Sequence, residues 1–238
     1  MRYALFVTNR SVTVTVTDAN TTNSVPYQET FEEYELGSTM VGTRGWTGTG
    51  AGAAMIETNR YAAGSGGYPI AGSHERSLAF NDGGVSNRFH QTTSLTNICV
   101  DMLVSCEPTE DAPEIGADVQ FGFGVTSNRH IKVWHGQIGG TNRWTELTGT
   151  GVVSNAFARV TVQADYARNP QGWFGFRLWI NGVAVTQPTN WFATACTNRN
   201  FFGSMEFVGT GQVDDLAVDT NNPFAKPLAP KSTLFLLR

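Results

Sequence analysis

The reactive side chains of this 238-residue chain are dispersed, and their spacing limits the chemistry on offer. Glu107, Glu110, Asp111 and Glu114 crowd around Pro108 and Pro113. Prolines at that density specify a solvated loop, not a catalytic acid pair. The histidines, His74, His90, His130 and His135, show no spacing that suggests a nucleophile, base and orienting acid. Cys99, Cys106 and Cys196 form no metal-binding pair. If residues 98–105 are extended, Cys99 and Cys106 lie roughly 23 Å apart, too far for a disulfide. Free thiols are expected.

The tryptophans are more informative. Strand parity puts Trp134 on a face with Lys132, and Trp179 on a face with Arg177 and Asn181. Both faces point away from the core, where an indole can stack on a sugar ring. Trp144 and Trp173 are expected in loops beside them. The alternative is that these rings pack against a second sheet or an assembly interface.

The elements that must carry these groups are strands. Ile98, Val100, Met102 and Val104 share one face, as do Val119, Phe121, Phe123 and Val125. Val160, Val162 and Ala164 repeat the pattern, and so do Phe176, Leu178 and Ile180. Asn181-Gly182 predicts a type I′ hairpin turn. Ser/Thr-Asn-Arg occurs six times, at Asn9, Asn59, Asn87, Asn128, Asn142 and Asn198, and is expected to mark turns. No segment has a helical period. Charged residues are only 15% of the chain and Gly is abundant, the usage of a turn-rich β fold. The net charge of −4 and the scarcity of Lys argue against nucleic-acid binding. No apolar run approaches membrane-spanning length.

Both ends carry strand-like sequence outside the central region. Leu5 and Val7 belong to a first short piece, and Val12, Val14 and Val16 alternate with threonine in a second. A kink at residues 8–11 separates them. Residues 18–24 form a polar linker holding Asn20-Thr21-Thr22, one of two glycosylation sequons; the other is Asn9-Arg10-Ser11. A proline-punctuated spacer and the apolar run 234–237 close the chain. The division expected is 1–25 as strand extension and linker, 26–222 as the domain, and 223–238 as spacer and last strand.

Three stretches carry a resemblance to a known family. They are Thr30 to Gly37 followed by Gly45-Trp46, Ala158 to Val162 with Phe176 to Gly182, and Gly209 to Val218. Together they resemble the concanavalin A-like lectin/glucanase superfamily in its laminin-G-like form, over about residues 27–220. The resemblance implies an all-β fold, a two-sheet antiparallel jelly-roll sandwich with extra N- and C-terminal strands. It also implies a structural Ca²⁺, for which Asp214, Asp215 and Asp219 offer oxygens; edge protection explains the same acids equally well. The family's glucanases carry Glu-x-Asp-x-x-Glu on one strand, and no Glu here is followed two residues later by Asp. On that ground the chain is expected not to be an enzyme. Two roles remain. One is a structural subunit of an extracellular or cell-surface fibre, a head-to-tail homopolymer in which Leu5, Val7, Val12, Val14 and Val16 insert into the next copy, as in fibrils of jelly-roll protomers joined by donated strands. The other is a secreted carbohydrate-binding module.

Overall fold

The computed structural model describes residues 2–6, 22–49, 53–63, 66–90, 95–108, 119–136, 141–152, 156–167, 174–185, 191–195 and 201–224. Every regular element among them is a strand. In chain order these are β1 (Arg2–Phe6), β2 (Tyr27–Glu29), β3 (Trp46–Gly48), β4 (Met55–Thr58), β5 (Arg76–Arg88), β6 (Asn97–Cys106) and β7 (Val119–Val125). They continue as β8 (His130–His135), β9 (Arg143–Gly151), β10 (Ala158–Asp165), β11 (Gly175–Ile180), β12 (Val183–Ala184), β13 (Phe192–Ala193) and β14 (Ser204–Asp219). The fold is the all-β sandwich expected. Among the described residues no helix is long and apolar enough to cross a membrane.

The alternating sequences set which faces meet. One strand path runs β12-β11-β10-β6-β14-β1-β7-β8-β9 and folds back over a shared core. Its two arms meet where Phe121 of β7 stacks on Phe176 of β11, centroids 4.4 Å apart. At the other end Trp46, fully buried, stacks on Phe207 at 6.2 Å. The Asn181-Gly182 turn forms as predicted, with φ of 50° and 79°. Only two pairings are parallel among the named strands, and both belong to β1. Arg2–Phe6 pairs with Ser204–Phe207 and Val208 of β14 on one side, and with β7 on the other.

β14 organises the rest. Its first half pairs with β5 and β1, and its second half with β6 and β2. The register against β6 shifts between Asp214 and Ala217, and Asp215 sits there at φ 48°. A bulge with a left-handed residue re-aims side chains locally, and Asp tolerates that conformation better than most.

The outer face of β6, β10 and β11 is not open to water, contrary to what alternation alone suggests. A strap formed by residues 59–63 and 66–75 lies over part of it. Arg159 on β10 ties the strap down, donating to the carbonyls of Gly66 (3.1 Å) and Tyr68 (3.4 Å). The approach is close enough that a Cβ on Gly66 would lie 2.7 Å from the Asn181 Cα, so only glycine fits. The same Arg159 donates to both Asp101 oxygens, at 3.0 and 2.5 Å, and Thr161 donates to Asp101 at 2.7 Å. All three side chains are buried.

Candidate functional site

Two groups of side chains could do chemistry. The first grows from the β7-β8-β9 hairpins. β7 has a bulge near Gln120, seen as the register step from Arg2↔Val119 to Ala4↔Gly122. Gly122 and Gly124 face Trp134 and Lys132 of β8. Trp134 in turn pairs with Trp144 of β9, and Lys132 with Glu146. The two indoles lie with centroids 5.9 Å apart and planes tilted by 52°. Both are partly exposed. The Lys132 ammonium sits 5.3 Å from the Trp144 centroid, and the Trp144 ring packs on Val119 and Val208, which flank β1. Neighbouring glycines without side chains leave the indoles as the relief of this face. At its edge His130 bonds Glu146 at 2.7 Å.

The structure therefore unites two of the four tryptophans named above. Trp144 belongs to a strand, β9, and not to a loop. Trp179 lies on β11, on a different face, and is only 7% exposed. Trp173 lies outside the described residues, as do Val7, Asn9, Val12, Val14, Val16, Asn20, Glu110, Asp111, Glu114 and Cys196. Leu5 is in β1, paired with Phe207 and Phe123. Cys99 and Cys106 are free thiols. Of the Asn-centred tripeptides, that at Asn128 makes a turn, with the positive φ on Arg129, whereas Asn87 is buried inside β5.

The second group is a buried acid pair under the strap. Asp214 and Asp215 are both fully buried. Asn59 donates its amide to Asp214 at 2.8 Å, and the Ile70 N–H donates to Asp215 at 3.4 Å. His74 bonds Asp215 at 3.2 Å while its ring stacks flat on Tyr68, 3.6 Å between centroids. Burial pushes both carboxyls up to about 7, against the pull of those hydrogen bonds. Ligand atoms of His74, Asp214 and Asp215 all lie within 4.8 Å of one another. Asp219 does not join them; it is occupied by Thr220 and Asn221.

The donor set suits a cation. None of the hydrogen bonds to the two carboxylates among the described residues comes from Lys or Arg, and the buried Asn59 Oδ1 has no partner. Asp214, Asp215 and the Asn59 carbonyl are the hard oxygens a Ca²⁺ would take. Sequence reasoning missed Asn59 and His74. His74 is 141 residues from Asp215, and no local period connects them.

No protein-family model matches the chain, and no curated protein matches it. Solved structures do. An endo-β-1,4-glucuronan lyase from the fungus Trichoderma reesei is 13% identical over 82% of this chain and 95% of its own, with a TM-score of 0.43. The alginate lyase Aly36B, in complex with an alginate trisaccharide, is 11% identical over 83% of this chain and 100% of its own, TM-score 0.43. A carbohydrate esterase from the Shiga toxin-encoding bacteriophage phi24B is 9% identical over 75% and 91%, TM-score 0.44. The expectation that the chain is not an enzyme is corrected here. It rested on a missing glucanase signature alone, and the solved structures similar to this chain include alginate lyases and a glucuronan lyase.

Proposed function

We propose that this protein recognises carbohydrate through the Trp134–Trp144 face, acting outside the cell or at its surface. The observation that supports the reading is the cross-strand indole pair with Lys132 against it, 5.3 Å from the Trp144 ring. Aromatic faces bind the apolar C–H side of a pyranose, and a nearby ammonium favours electron-rich or acidic sugars. A glycan array followed by calorimetry tests it. The parent protein is expected to bind a defined glycan, and Trp144→Ala to weaken that binding about tenfold. A parent that binds no glycan ends this reading.

A second reading, association of copies by exchange of β1, has its own support. β1 fills a slot between β14 and β7 with parallel pairing on both sides, in a sandwich otherwise paired antiparallel among its named strands. A strand added by main-chain pairing is replaceable by the same strand of another copy. Removing residues 1–17 is expected to abolish any higher assemblies seen by size exclusion and negative-stain microscopy. Assemblies that survive the deletion, or a full chain that never assembles, rule out the exchange.

A further inference from the structure

Two arginines occupy the outer face of neighbouring strands, and their surroundings differ completely. Arg159 on β10 has a bidentate carboxylate, two carbonyls and the Phe224 ring at 4.4 Å. Among the described residues, Arg177 on β11 has a ring and no acceptor. Its guanidinium lies 3.9 Å from the centroid of Trp191, which precedes β13. Its Nε is buried without a hydrogen-bond partner, and among the described residues no ion pair reaches it. The neighbour directly across on β10, Gln163, already accepts from Asn222 at 3.0 Å and donates to Asn97 at 3.0 Å. Asp165, further along β10, attracts Arg177 but receives the Ala167 N–H at 2.8 Å. Burial pulls the Arg177 guanidinium below its ordinary range, and the attraction of Asp165 offsets only part of that.

A guanidinium presents five donors in a planar fork that matches a carboxylate. Leaving the buried Nε of that fork without an acceptor is unfavourable, and a flat indole beneath it fixes its orientation. The amides of Gln163 and Asn97 beside it are held by each other, by Asn222 and by Thr220, so the guanidinium is the group left to meet a ligand. We infer that Arg177, held on Trp191, is a binding site for the carboxylate of an acidic sugar. This site is separate from the Trp134–Trp144 face and shares no residue with it.

The test uses matched probes. A β-1,4-linked glucuronate tetrasaccharide and cellotetraose differ only in the carboxylate at C6 of each ring. Calorimetry at low salt is expected to show binding of the first and none, or far weaker binding, of the second at this site. Arg177→Gln should weaken glucuronate binding roughly tenfold to a hundredfold, the range of a charge-assisted pair. Trp144→Ala, which tests the other face, should leave the Arg177-dependent part of the binding intact. Equal binding of both sugars, an unchanged affinity in Arg177→Gln, or no binding by the parent overturns the proposal. Acetate competing as strongly as the tetrasaccharide reduces the site to a plain anion site and overturns its assignment to a sugar. A second variant guards against a structural role. Arg177→Met keeps the apolar stem and should melt within about 2 °C of the parent. A fall of many degrees would mark Arg177 as structural and overturn the proposal.

Discussion

Arg159→Ala is expected to destabilise the fold by about 3–5 kcal/mol, the loss usual when one partner of a buried ion pair is removed. Asp101 is 5% exposed and would keep only the Thr161 hydroxyl for its charge. The strap would lose the donor that holds Gly66 and Tyr68 by their carbonyls. Two readouts separate these effects. The urea midpoint reports the global loss, and limited proteolysis between residues 59 and 75 reports release of the strap. Replacing both partners, as Asp101→Leu with Arg159→Met, should cost less than Arg159→Ala alone, because no unpaired charge is left inside. If Arg159→Ala costs under about 1 kcal/mol, the pair is hydrated and the strap is not sealed.

The second large effect is a pH dependence that runs opposite to that of most aspartates. Asp214 and Asp215 are held at about 7 in the folded chain, against 3.8 for an ordinary aspartate. Between those values the folded protein keeps protons that the unfolded chain has released. Their contribution to stability is fully present below about pH 4, declines as pH rises, and is lost above pH 7. Comparison with Asp214→Asn cancels the other carboxylates. In chelator, the variant should match the parent near pH 4 and exceed it by a few kcal/mol at pH 8. Calcium in excess should then raise the parent at pH 8 and leave the variant behind, if a hard cation occupies the pair. A stability difference that does not change between pH 4 and pH 8 would show that the two acids are hydrated.

How much of this was legible beforehand depended on which face a residue occupies. The inner faces of β6, β7, β8, β10 and β11 were readable because one buried side requires one apolar parity, and Asn181-Gly182 because a two-residue turn needs positive φ. β9 was not readable. Its sequence is polar, with Leu147 the fully buried residue among those whose side chains are described, so Trp144 looked like loop. Asn87 shows the opposite error. The tripeptide that makes a turn at Asn128 lies within β5 at Asn87, where Tyr27, Asn23 and the Arg44 carbonyl bond the side chain. The outer-face chemistry was hidden for another reason. Whether Asp101, Arg159 and Asp214 are wet or buried is decided by a strap far away in sequence, and alternation reports only that they point outward.

The position of β1 has a consequence for how the chain is made. Arg2 pairs with Ser204, about two hundred residues downstream, and its other neighbour begins at Val119. At ribosomal rates of roughly 5–20 residues per second, β1 waits on the order of 10–40 s before its second wall exists. Until then the main-chain groups of β1 that face β14 have no partner, and β14, once made, offers an open edge to the first matching strand it meets. In the proposed exchange of β1, the local concentration of nascent copies during synthesis, more than the stability of the finished fold, would set the choice between a chain's own β1 and its neighbour's.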